Sequence, residues 1–244
     1  MEFARLRPHQ LQEAIAANTP VVLPIGVMEY HGAHLPVGVD LLAVTGVLAR
    51  LGEGIVVLPP FAYGAASHAV AGPEGTGTLH LDASALLPMI EALFAALLKA
   101  GLRNIHGVIH HQTENFAQGM PTDLAFRLGA RNAIFRHLEA ERGAGWWGRR
   151  EMSDYYARHA VAEDPFNWIR IHPLFPKGAD FPFDHAGLGE TALMLALAPG
   201  TVEMPRALEG GHWYTETAPA ATRDLGERGV AIAVAHLRDV LGLG

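Results

Sequence analysis

The segment LPIGVMEYHGAHLPVGVDLLAV, Leu23 to Val44, joins the end of an apolar run to the start of a helical pattern. The run Val21 to Ile25 predicts a buried strand and Leu41 to Leu51 a helix, so the segment reads as the turn of a strand-to-helix unit. Between the two, Glu29, His31, His34 and Asp40 fall within twelve residues, and Gly26, Gly32, Pro36 and Gly38 bend the chain around them. Glu29 and His31 are two apart, so on an extended chain leaving a strand their side chains point the same way, which is ligand spacing for adjacent metals. Asp40 stands just before the helical run, where a carboxylate caps the helix and also faces the carboxyl edge of a sheet. Taken singly, Asp40 reads as an N-cap, Glu29 as a surface acid and the histidines as polar loop residues. Four such groups on one bent segment are harder to explain as surface decoration.

Outward from this segment the same alternation continues. Ile55 to Leu58 and Ile105 to His110 predict further strands, and Ser84 to Ala100, Pro121 to Glu141, Glu190 to Ala198 and Ala221 to Leu241 predict helices. Short β-prone runs alternating with helices are the pattern of a mostly parallel sheet covered by helices, an α/β fold. From about Gly143 to Gly187 the regular pattern fails, and GAGWWGRR and HPLFPKGADFPFDH crowd Trp, Phe, Pro and Gly together. Long segments of this kind are usually functional or interfacial. Trp146, Trp147, Tyr155, Tyr156 and Trp168 are expected to form either a lid or pocket wall, or an oligomer interface.

The chain has 244 residues, of which 50% are hydrophobic and 18% charged, so residues 1–244 are expected to form one domain around a large core. The net charge of −7 argues against a nucleic-acid surface and for small-molecule chemistry. The apolar segment Ala83 to Leu98 is broken by Pro88 and Glu91, and Thr191 to Ala198 is too short, so no membrane span is expected. MEFARLRPHQLQEAIAANTP lacks a basic start followed by an apolar stretch, which makes the cytoplasm the expected location. There are 14 histidines and no cysteine. Any metal must therefore be held by nitrogen and oxygen ligands.

The run E-Y-H-G-A-H-L-P-V-G-V-D, Glu29 to Asp40, resembles the opening motif of the creatininase family, also called creatinine amidohydrolases. The resemblance implies a three-layer αβα sandwich and a two-metal site that hydrolyses amide bonds. It makes Glu29, His31 and Asp40 metal ligands, with Asp40 bridging both ions. His68, Gly77-Thr78-Leu79 and Gly101 to Ile105 extend it. In H-H-Q-T-E-N, His110 to Asn115, Glu114 and Asn115 match the family's His-x-Glu-Asn element, which makes Glu114 a ligand and catalytic residue, but Gln112 occupies the histidine position. An amide oxygen is a weaker donor than imidazole. The alternatives are that His111 turns into the vacancy, that Gln112 serves, or that this metal is lost; His111 is the expected ligand, although alternation along a strand would point it away from Gln112. The later run F-D-H-A-G-L-G-E-T-A, Phe183 to Ala192, is similar to the family segment carrying a catalytic histidine and a following glutamate, which match His185 and Glu190. By themselves, Glu190 also reads as a first-turn acid favoured by the helix dipole and His185 as a loop histidine bonded to a carbonyl.

The resemblance, over residues 20 to 200, implies two divalent ions, zinc and/or manganese, that activate a water against a non-peptide amide C–N bond, cyclic amides included. His185 would shuttle the proton, and Glu190 would position His185 or the substrate. Alternative substrates are a lactone, a formamide or a short peptide; a binding protein that has lost one metal is the non-enzymatic alternative. A small molecule is the expected partner, with no nucleic acid or membrane, and the family implies a homo-oligomer, a hexamer.

Overall fold

The structure, a computed structural model, describes the chain except residues 71, 74, 112–118 and 159–163, and residue 158 by its backbone alone. Four strands form the sheet: β1 (Val21–Ile25), β2 (Val56–Val57), β3 (Ile105–Ile109) and β4 (Ile169–Pro173). Their order is β2-β1-β3-β4 and every pairing is parallel, with Val21 opposite Val56 on one side and Ile105 on the other, and Ile105 opposite Ile169. The helices are α1 (Pro8–Ala16), α2 (Val39–Arg50), α3 (Ala83–Lys99), α4 (Pro121–Arg142), the short α5 (Tyr155–Arg158), α6 (Leu188–Leu197) and α7 (Arg223–Leu241).

Side chains alternate across β1, and the core divides accordingly. Val21, Leu23 and Ile25 pack with residues of α3 and α4 such as Phe94, Phe126 and Ile134. Val22 joins Val108 and residues of α2, α6 and α7, among them Val44, Met194 and Val230. Two apolar cores on opposite faces of one sheet make a three-layer αβα sandwich. Pro24 lies inside a central strand, a position that normally forfeits a ladder hydrogen bond. Here Val21 N–H donates to Asn104 on the β3 side, so by alternation the Pro24 nitrogen faces β2, which has already ended at Val57. Phe61 N–H still donates to the Pro24 carbonyl, with Pro59 and Pro60 looping out between.

Three elements depart from the sequence expectation, the short α5 among them. α1 presents a short apolar stripe, Leu11, Ala14 and Ile15, that packs against the core, although only Ala14 of it is buried. β4 falls inside the segment expected to be irregular; its sequence IRIHP buries Ile169 and Ile171 and leaves Arg170 and His172 half-buried, as an edge strand does. Among the described residues no helix is long and apolar enough to cross a membrane.

The order 2-1-3-4 places the topological switch between β1 and β3, where the chain leaves β1 in one direction for β2 and later returns to its other side. Open α/β sheets bind ligands in the crevice beyond the carboxyl ends of such strands.

Candidate metal centre

The two segments that leave the sheet at that switch carry the buried polar groups. After β1 the chain runs from Gly26 into the loop of Glu29 and His31. A Cβ on Gly26 would lie 2.6 Å from the Leu41 nitrogen, so only glycine lets this loop press against the start of α2. Gly32, at φ +74°, is enclosed by His34 and Thr215 and supplies the left-handed turn after His31. Asp40 does not cap the helix. Gly38 is the N-cap, no side chain bonds there, and Asp40 sits inside the first turn with its carboxylate buried in the site. β3 ends at Ile109, so strand alternation no longer governs His110 and His111, and His111 turns toward Glu29 and Asp40.

Glu29, His31, Asp40, His111, His185 and Glu190 come together, none more than 7% exposed. Ligand atoms of Glu29, Asp40 and His111 lie within 4.8 Å of one another, and so do those of His31, Asp40 and Glu190, and those of Glu29, His31 and His185. Asp40 belongs to two of these groups. Glu114 and Gln112 lie outside the described residues.

Tautomers sharpen the picture. His31 Nδ1 is 3.0 Å from the Glu29 carbonyl, which only accepts, so Nδ1 carries the proton. Its Nε2 is then a lone pair when the ring is neutral, and it faces Glu190 Oε2 at 3.4 Å and Glu29 Oε1 at 3.7 Å. His111 Nε2 donates to the Ala65 carbonyl at 3.3 Å, leaving Nδ1 3.3 Å from Glu29 Oε1 and 3.5 Å from Asp40 Oδ2. His31 Nε2, His111 Nδ1 and Asp40 Oδ2 are buried and make no hydrogen bond. Neutral lone pairs turned by backbone carbonyls onto carboxylates repel unless a cation lies between them, and this is how metal-binding histidines are oriented. The ionisation tendencies show the same demand for positive charge, which a proton meets where no metal does. Burial pulls the His111 imidazole down, but Asp40 and Glu29 together outweigh it and hold its pKa well above the ordinary value. Burial likewise opposes, and Glu190, Asp40 and Glu29 overcome, in raising His31. The residues present therefore fit divalent cations.

His185 Nε2 donates to the Tyr30 carbonyl at 2.9 Å, so its Nδ1 is the free lone pair, 3.7 Å from Glu29 Oε1. Burial, then the neighbouring His31, lowers its pKa and keeps the ring neutral. Its ring lies 4.4 Å from that of His31, and the Tyr214 ring meets it edge-on at 5.2 Å. Glu190, in the first turn of α6, is turned to the cluster: Oε2 accepts from Ala186 N–H at 2.7 Å, and Oε1 is 3.3 Å from His110 Nε2. Burial opposes its ionisation, but His31 and His110 overcome it and keep it a carboxylate. The N-cap is Gly187, and the first-turn N–H groups are taken by Asp184, which accepts from Gly189 N–H at 2.7 Å and Glu190 N–H at 3.2 Å. Burial and the Glu190 charge push Asp184 up to about 6.

Other histidines near the motif have ordinary roles. His34 Nε2 pairs with Thr191 Oγ1 at 2.9 Å, and His68 is exposed beside His80. Thr78 accepts from Tyr30 N–H at 3.0 Å, so the glycine-threonine segment braces the ligand loop. The aromatic residues expected to form either a lid or an oligomer interface lie elsewhere. Trp168 precedes β4 and its carbonyl accepts from Ile105 N–H at the amino edge, opposite the cluster, while Trp146 is buried under Arg142. Tyr214 and His212, stacked at 4.9 Å over Tyr30 and His185, are the aromatic neighbours that sequence reading missed, since nothing in GGHWYTET marks proximity to residues 30 and 185. A cavity of about 560 Å³, lined by Glu29, His111, Ser67, His80, Asp82 and Pro121 among others, opens onto the cluster.

The family model for creatininase, creatinine amidohydrolase, matches residues 4–240. A creatinine amidohydrolase of Pseudomonas putida is 29% identical over 199 residues, 80% of this chain and 70% of that protein. Two solved structures, one described as creatininase Mn and the other a creatininase variant of Zn-Zn type, are each 22% identical with a TM-score of 0.71, over 98% of this chain and 96% of theirs. Those two likenesses concern the fold. On the match of nearly its whole length, the chain belongs to the creatininase family and is by family a metal-dependent amidohydrolase.

Proposed function

We propose that this enzyme hydrolyses a small, non-peptide amide, cyclic amides included, at a centre holding two divalent ions, zinc or manganese. The observation that carries the reading is the pair of imidazole lone pairs, His31 Nε2 and His111 Nδ1, aimed at three buried carboxylates of which Asp40 is shared between two ligand groups. Glu29, Asp40 and His111 would hold one ion, and His31, Asp40 and Glu190 the other. Glu114 is proposed as a further carboxylate of the centre. When bound, the ions supply a hydroxide near neutral pH and polarise the scissile carbonyl.

The remaining work falls to the chain. His185, its Nε2–H tied to the Tyr30 carbonyl, offers Nδ1 to take a proton from the attacking water and return it to the leaving nitrogen. Tyr214 limits the swing of that ring. The Ala186 N–H and His110 hold Glu190 ionised and fixed, and the Ala65 and Glu29 carbonyls hold the two imidazoles in the ligand tautomer. The cavity toward Ser67, His80 and Asp82 would receive the substrate. We place the enzyme in the cytoplasm as a homo-oligomer, by family a hexamer, with the aromatic segment around Trp147 and Tyr156 as a contact between copies, since both side chains are exposed.

Metal analysis of the purified protein, combined with an anomalous-scattering map, tests the centre: two ions per chain on the named ligands are expected. One ion or none sinks the two-metal reading and favours a binding protein. A panel of lactams, lactones and formamides assayed with and without chelator tests the substrate class; activity confined to lactones would overturn the amide assignment.

A further inference from the structure

A second cavity, of about 490 Å³, opens at the free edge of β4, where that strand meets α4. Arg127, Arg131, Arg170 and His172 line it with Leu128 and Ile171, and no carboxylate among the described residues does. Among the described residues only Arg127 has an anionic partner: its Nε donates to Asp123 Oδ1 at 2.9 Å, and Asp123 is buried. Arg131 donates to the Phe166 carbonyl, and Arg170 Nη2 donates to the Asn104 amide oxygen at 2.8 Å, so both meet neutral acceptors. Arg170 Nε is buried without any hydrogen bond. The imidazoles beside it add no negative charge. His106 Nε2 donates to the same Asn104 oxygen at 2.8 Å and its Nδ1 meets His172 Nε2 at 3.0 Å.

The local excess is opposite to the chain's net charge of −7, so composition does not produce it. A guanidinium partly withdrawn from water without a counter-charge is costly. Its natural complement is an oxyanion, which takes the planar N–H fork in charge-assisted hydrogen bonds. The volume lies in the range of about 300 to 1,000 Å³ usual for small-molecule sites. We propose that this cavity binds a small molecule through a carboxylate or phosphate group, held by Arg131 and Arg170 with Arg127 beside them. Its place at the sheet edge separates it from the metal centre at the β1 and β3 ends, although α4 connects the two, with Pro121 lining the cavity over Glu29 and His111.

Calorimetric titration of the metal-loaded protein in chloride-poor buffer, with inorganic phosphate and with succinate as probes, tests the site. One saturable site per chain is expected for at least one probe, and the tighter of the two names the class of anion. Arg131→Gln and Arg170→Gln should each weaken it by about tenfold, the worth of one charged hydrogen bond, without changing metal content. Arg131 is exposed, so its variant keeps the test open even where Arg170→Gln fails to fold. No saturation by either probe in the millimolar range overturns the proposal. So does unchanged affinity in Arg131→Gln, or a sedimentation result in which self-association of the chain covers the cavity and excludes both probes.

Discussion

On one strand, β3, His106 near its start and His110 and His111 just past its end are all buried, yet they face opposite surroundings. His106 meets Asn104, His172 and Arg170, and burial followed by the Arg170 charge pushes it down to about 2 and His172 to about 4. His111 meets Glu29 and Asp40, whose charges overcome a comparable burial and raise it. Burial alone makes an imidazole neutral. Which charge then completes the cluster is set by the neighbours: three carboxylates at the carboxyl edge call for cations, while Arg170 of β4 with Arg127 and Arg131 of α4 would suit an anion.

Removing Asp40, the carboxylate common to the two proposed ligand sets, is the severest way to break this contrast. Asp40→Ala should lose both ions and at least about a thousandfold in kcat/KM, the scale of a lost electrostatic stabiliser. Metal analysis checks it, and retention of two ions would show that Asp40 does not bridge. His185→Gln should cost about a hundredfold in kcat, as the loss of a general acid-base does, while both ions stay bound. Loss of an ion instead would make His185 a ligand, which its grouping with Glu29 and His31 makes a sharp alternative.

The other cluster is best probed by acid. His172 has a folded pKa of about 4 against an ordinary 6.5. The unfolded chain therefore binds the proton more readily, so the stability that neutral His172 permits is complete above pH 6.5 and is lost as pH falls from there toward about 4. His172→Gln should remove that loss, on the order of 2 kcal/mol, seen as a flatter dependence of the urea midpoint between pH 7 and pH 4.5. A wild-type midpoint that does not fall over this range would contradict the contrast. The smallest effect is expected at Tyr214, whose edge-on contact is worth about 1 kcal/mol. Tyr214→Ala should lower kcat by less than about tenfold with little change in KM, and Tyr214→Phe should restore it; an equal loss in both variants would assign the effect to the hydroxyl.

Much of the fold was readable because its signals are local. The apolar run Val21 to Ile25 is β1 to the residue, and the helices from Ser84 and Pro121 begin and end within one or two residues of the pattern that predicts them. β4 was not readable, since Ile169 and Ile171 alternate with Arg170 and His172 for only five residues and an edge strand needs no longer signal. In the site, Glu29, His31 and Asp40 were legible as one motif, but the cap expected of Asp40 belongs to Gly38. The partnership of Glu190 with His31 crosses more than 150 positions, and no spacing rule spans that distance.

The sequence by itself determined an α/β chain with nitrogen and oxygen ligands, because periodicity, glycine placement and the absence of cysteine are properties of neighbouring residues and of composition. Only the tertiary structure decided that His111 faces Glu29 and Asp40, that Glu190 joins them, and that Arg170 stands without an acid among the described residues. Each of these depends on where β3 and β4 end beside segments far away in the chain, and burial converts that proximity into a demand for a particular charge.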